Sequence, residues 1–149
     1  MNGRNIFSLS AFPAFVLALA ATNAGPAGAV TDVSDSEWTV ATMDFDGSWG
    51  VGTATSTNLA ILRALANCKM MSKKEIGCGA YSKTMRFGWI LALRCGSESV
   101  LEADLKLEEV KKLAIARESE LRQLYVRDMP PCRLVFSVDP RGVVIREIF

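Results

Sequence analysis

The sequence predicts an α+β fold: an antiparallel sheet built from three hairpins, with two helices packed on one face and disulfides as staples. Three observations lead there. Short alternating stretches come in pairs around turn-forming residues, and two longer stretches between them repeat apolar residues at helical spacing. The four cysteines, Cys68, Cys78, Cys95 and Cys132, form an even set.

The first pair is WTVATMDFDGSWGVGTAT, from Trp38 to Thr55, with Asp46-Gly47 at its centre, a dipeptide suited to the positive φ of a tight turn. In the register that this turn sets, Trp38, Val40 and Thr42 share a face with Trp49, Val51 and Thr53. The opposite face carries Ala41, Gly50, Gly52 and Ala54, small enough to admit a helix at close range. Ser56 or Thr57 caps the next segment, where Ile61, Ala64, Leu65 and Cys68 recur at helical spacing, so a first helix ends near Cys68. KMMSKKEIG is then a basic connector.

The stretch CGAYSKTMRFGWILALRCG, from Cys78 to Gly96, reads as a second hairpin turning at Arg86-Phe87. In that register Cys78 lies directly opposite Cys95. A short extended piece, SESVLEA, precedes a longer helix that Asp104 caps and that runs to about Tyr125. Its apolar stripe is Leu107, Val110, Leu113, Ala114, Leu121, Leu124 and Tyr125, and Glu108 with Lys112 and Glu118 with Arg122 are i,i+4 pairs on its wet side. Met129-Pro130-Pro131 ends the helix. CRLVFSV and GVVIREIF then flank Asp139-Pro140-Arg141-Gly142, a turn that makes the third hairpin. Laying Trp49 over Trp89 brings out a weak internal repeat of hairpin and helix.

The opening segment, residues 1–29, holds Arg4, an apolar run from Ile6 to Ala21 broken by Pro13, and the small-residue ending Ala27-Gly28-Ala29. That pattern reads as a cleavable secretory signal, with the mature chain starting near Val30 and cleavage after Ala24 less favoured. The run is shorter than the ~20 residues of a spanning helix, so no membrane span is expected. Residues 30–37 read as a flexible, acidic leader, and residues 38–149 as a single α+β domain. Without the signal the chain carries 16 basic and 16 acidic residues, since Arg4 alone of the 17 basic ones lies in it. Such a balance lacks the electrostatic footprint of a nucleic-acid binder.

Four cysteines in an exported chain imply two disulfides. Two pairings remain open. Cys68 with Cys78 and Cys95 with Cys132 joins helix ends to strand starts, whereas Cys78 with Cys95 and Cys68 with Cys132 follows the hairpin register. The first is preferred, because directly cross-strand disulfides need a particular pair geometry. No Cys-x-x-Cys and no paired zinc-type spacing occurs, and the chain has no histidine, which removes the usual general base and the usual zinc ligand. No metal site, cofactor or catalytic residue is therefore assigned.

WGVGTATSTNLAILRALANC, from Trp49 to Cys68, together with Cys78-Gly79-Ala80 and Gly88-Trp89, resembles a family of small exported bacterial proteins, the domain-of-unknown-function 4189 type. The resemblance implies repeats of a Trp-Gly strand, an Ala-rich helix closing on cysteine, and a Cys-Gly-Ala strand. This chain departs from it in having no cysteine at the end of its second helix. No catalytic residues come with the resemblance.

The functional expectation is an exported, non-enzymatic binding protein of the bacterial envelope, periplasmic or secreted, whose partner is a protein or other envelope component. Its contact surface is expected at Trp38 and Trp49, taken to share one hairpin face, or at the basic connector residues Lys69, Lys73 and Lys74. The alternative is a small glycan hydrolase using carboxylates such as Asp44, Asp46 and Glu75.

Overall fold

A computed structural model describes residues 37–72, 74 and 76–146. The signal assigned to residues 1–29 and all of the leader assigned to residues 30–37 except Glu37 lie outside the described residues, as do Lys73 and Glu75. The element order is β1 (Trp38–Met43), β2 (Trp49–Ala54), α1 (Thr57–Met71), β3 (Tyr81–Arg86), β4 (Trp89–Cys95), β5 (Glu98–Asp104), α2 (Leu107–Leu124), β6 (Arg133–Val138) and β7 (Val144–Ile145). The fold is α+β, antiparallel throughout and stapled by two disulfides.

The strands form two sheets, in the orders β2-β1-β3 and β5-β4-β6-β7. Each half follows the same course: a hairpin, a helix, then a third strand that returns to the far side of the hairpin's first strand. The equivalent openers are therefore Trp38 and Trp89, which begin the two central strands, and not Trp49 and Trp89.

Three hairpins are present, but the middle one lies one strand later than expected. The chain between Arg86 and Trp89 does not fold β4 back on β3. Phe87 takes a left-handed φ of 60°, and the chain changes sheet there: β3 pairs with β1, while β4 pairs with β5 and β6. The middle hairpin is β4–β5, joined by Gly96-Ser97, with Gly96 at φ +68° as a two-residue turn demands. Cys78 and Cys95 consequently belong to different halves, and each finds a partner in its own. Cys68 at the end of α1 bonds Cys78, and Cys95 at the end of β4 bonds Cys132. Both bridges lie just ahead of a third strand and tie it to its own half.

Each sheet carries its helix on one face and turns its other face to its fellow. Ala41 and Met43 of β1, with Trp49 and Val51 of β2, pack against Ile90, Ala92, Leu101, Phe136 and Val138 of the second sheet. The Trp49 and Phe136 rings lie 4.5 Å apart at the centre of that layer. On the outer side of the first sheet Val40 and Ala54 meet Ala60 and Ala64 of α1. On the outer side of the second, Leu91, Leu93 and Val100 meet Val110, Ala114 and Leu121 of α2. A bulge at Val135 lets Leu134 face α2 while Phe136 and Val138 face the other sheet. Each fully buried large side chain in these layers is worth about 2 kcal/mol of transfer free energy.

The two helices dock differently because their sequences differ. Ser56 caps α1, accepting from the Leu59 N–H, and the helix runs one turn beyond Cys68 to a C-cap at Ser72. Its buried stripe is Ala60, Ala64 and Cys68, whereas Ile61 is largely exposed. That small stripe sits directly on Gly50 and Gly52, where an added Cβ would meet the helix backbone. On α2 the N-cap is Lys106 and makes no side-chain cap bond, while Asp104 ends β5 and accepts from the Lys106 N–H at 3.1 Å. Arg122 bonds Glu118 at 2.8 Å as read from the sequence. Lys112 meets Glu109 rather than Glu108, at 2.9 Å.

Candidate functional site

The paired tryptophans do not make a surface. A two-residue turn at Asp46-Gly47 would pair Phe45 with Ser48. The structure instead pairs Met43 with Trp49 and leaves Asp44 to Ser48 as a five-residue loop, closed by the Asp44 N–H donating to the Ser48 carbonyl at 2.8 Å. The cause is Asp44. Its side chain is buried and accepts from the Phe45 N–H and the Ser72 hydroxyl, which pulls Asp44 and Phe45 out of the strand. A register slip of one residue exchanges the faces of a strand. Trp38, Val40 and Thr42 therefore share their face with Ala54, Gly52 and Gly50, and Trp49, Val51 and Thr53 lie on the other. Trp38 is half-buried beside α1 with the Arg86 guanidinium 5.8 Å from its ring, and Trp49 is half-buried between the sheets.

The basic connector is only partly described. Lys69 lies exposed in the last turn of α1, and Lys74 is exposed with its N–H donated to the Ser72 hydroxyl. That hydroxyl in turn donates to Asp44 at 3.0 Å and is 3.4 Å from Asp46. Two carboxylates and one serine thus clamp the end of α1 to the first hairpin. The Ser48 N–H at 2.8 Å holds the Asp46 carboxyl below its usual range. A carboxylate kept ionised this way cannot donate a proton near neutral pH, so the turn is built as a set of acceptors. Among the described residues no group of three or more His, Cys, Asp or Glu could hold a metal ion.

A cleft of about 820 Å³ opens where β3, β5 and α2 come together. Its lining includes Tyr81 and Lys83 from β3, Val100 and Glu102 from β5, Leu113 from α2 and Tyr125 at the α2 C-cap. Tyr81 is held in place by an edge-on contact with Phe45 at 5.7 Å. Four of the five charged groups on the walls form ion pairs, and the fifth, Glu98, accepts among the described residues only from the Ser97 hydroxyl at 3.3 Å. Lys83 reaches across from β3 to Glu102 on β5 at 2.8 Å, and Arg117 meets Glu120 along α2 at 2.5 Å. The Glu120 hydrogen bond raises the Arg117 pKa above its usual value, so the guanidinium stays charged. Two apolar groups, by contrast, stand open: Leu113 is 42% and Tyr125 70% exposed, while Val100, Leu101 and Leu121 are buried. This arrangement suits an apolar or amide-rich ligand better than an ion.

The cleft depends on two elements that differ from the sequence expectation: SESVLEA is a full strand, β5, paired with β4, and β3 pairs with β1 in place of β4. A signal was present: Gly96-Ser97 between LRC and ESV is a two-residue hairpin pair. A second, smaller hollow lies beside α1, near Val40, Ile61, Leu65 and Ser82. Its Ser82 hydroxyl donates to Thr42 and the Thr42 hydroxyl to the Tyr81 carbonyl, so its polar groups satisfy one another.

Among the described residues no helix is long and apolar enough to cross a membrane. The chain matches no known family model, no curated protein and no solved structure.

Proposed function

We propose that this is an exported, disulfide-stapled binding protein of the bacterial envelope, periplasmic or secreted, that holds a partner in the cleft between β3, β5 and α2. The observation that carries the reading is the open apolar wall of α2. Leu113 on the helix and Tyr125 at its C-cap are left uncovered by the second sheet, facing a cleft in which two of the three carboxylates are matched by a cation and Glu98 is not. Two disulfides suit a protein that works in an oxidising compartment. Carboxylate hydrolysis has less support, because Asp44 and Asp46 are engaged as acceptors within their own turn.

The test is capture of envelope components on the immobilised oxidised protein, beside a Leu113→Lys, Tyr125→Ser variant. A partner should be retained by the parent and lost from the variant, with the unfolding midpoint little changed because both side chains are exposed. Equal capture by both proteins would contradict the cleft as the contact surface.

A further inference from the structure

We infer that the occupant of this cleft is an extended peptide segment that adds to β5 as a further strand. The inference rests on the proposed binding role and names its ligand. β5 is the last strand of its sheet and β3 the last of its own, and both border the cleft. Across the Gly96-Ser97 turn Cys95 and Glu98 form the closing hydrogen-bonded pair. Glu98, Val100 and Glu102 therefore bond to β4, while Ser99 and Leu101 direct their N–H and C=O groups away from it, on the side where both residues line the cleft.

The opposite edges offer less to a further strand. Arg63 donates to the Thr53 carbonyl and Asn67 to the Val51 carbonyl, at 2.7 Å for the latter, which occupies the outward acceptors of β2. At the far end of the second sheet β7 is only two residues long. The fold occupies one edge and shortens another, and leaves Glu98 to Glu102 of β5, with the Ser99 and Leu101 side chains buried, beside the exposed Leu113 and Tyr125. A peptide of about five residues would find main-chain partners there, and its alternate side chains would reach Leu113 and Tyr125. The two ion pairs and the carboxylate of Glu98, which is in neither, select a segment of little net charge, without acidic residues and with apolar residues at every second position.

The probes are acetylated, amidated hexapeptides alternating threonine with valine, leucine or tyrosine. Each is also made with N-methyl groups on alternate amides in either phase. Binding to the oxidised protein is followed by amide exchange and by titration. The expected result is slowing of the Ser99 and Leu101 amides by about tenfold or more, and loss of about tenfold in affinity for one N-methylated phase only. No slowing by any peptide, or equal binding of both methylated phases, would overturn the inference. So would slowing of the same amides by protein concentration alone, since the occupant would then be a second copy of this chain. If no peptide pairs with β5 while the Leu113→Lys, Tyr125→Ser variant still loses its envelope partner, the cleft stands as the binding site and strand addition falls.

Discussion

Replacing Gly52 by alanine probes how closely α1 lies on the first sheet. A Cβ at this position would stand 2.5 Å from the Ala64 nitrogen and 2.7 Å from the Arg63 Cβ, and would overlap the Ala60 carbonyl oxygen. Ordinary contact begins near 3.4 Å, so helix and strand must separate by roughly 0.9 Å. None of the three obstructing atoms can be moved by a rotamer change. Lifting the helix pulls Ala60 and Ala64, both fully buried, off Val40 and Ala54. Overpacking of this kind costs about 1–3 kcal/mol, and a backbone obstruction belongs at the upper end. Alanine also narrows the unfolded ensemble, which offsets up to about 1 kcal/mol. The net loss should be about 2 kcal/mol, or roughly 10 °C in Tm for a domain of this size. Urea unfolding of the oxidised protein should show a lower midpoint with an unchanged slope. Adding Ala64→Gly should not rescue stability, because the obstruction is the backbone. A loss below about 0.5 kcal/mol would refute the close docking of α1 on β2.

Removing the disulfides should rank them by the loop each closes. Replacing Cys68 and Cys78 by alanine opens a separation of 10 residues and should cost about 2.7 kcal/mol, against about 3.8 kcal/mol for Cys95 and Cys132 with a separation of 37. Denaturant unfolding of the two double variants checks the order, and the reverse order would count against it. Asp46 has a folded pKa below its unfolded value, so its contribution to stability is present above the usual carboxylate range and is lost as pH falls through the folded pKa. Its carboxyl should titrate below pH 3.8 by NMR, and Asp46→Asn should flatten the acid limb of stability. Arg122 holds Glu118 and donates to the Met129 and Pro130 carbonyls just ahead of Cys132. Arg122→Lys keeps the charge but loses the planar fork, and thermal unfolding should register a loss of about 1.5–3 kcal/mol.

Local chemistry was readable wherever one short segment decided the outcome. Ser56 caps α1, prolines follow α2, and Gly50 and Gly52 admit a helix, each for the reason visible in the residues. The preferred cysteine pairing is the one formed, though because Cys78 and Cys95 lie in different halves of the fold and not because a cross-strand bridge is avoided. What failed was register and partner choice, which depend on contacts distant in sequence. Asp44 reads as a turn residue, and only its bond to Ser72, 28 positions away, shows why the loop has five residues and why Trp38 and Trp49 part company. β3 and β4 alternate well enough to pair with each other, and what separates them is the better use of β1 and β5 as partners. The cleft was hidden for the same reason. Its walls come from three elements, and the exposed part of the α2 stripe cannot be told from the buried part until β5 is placed.

Residue-resolved amide exchange of the oxidised protein, free of any ligand, tests most directly whether β5 offers an open edge. The account predicts alternation along the strand: slow amides at Glu98, Val100 and Glu102, which bond to β4, and fast ones at Ser99 and Leu101, which face the cleft. If Ser99 and Leu101 are as well protected as their neighbours at every protein concentration, the edge is already paired within the fold, and the cleft cannot receive a strand.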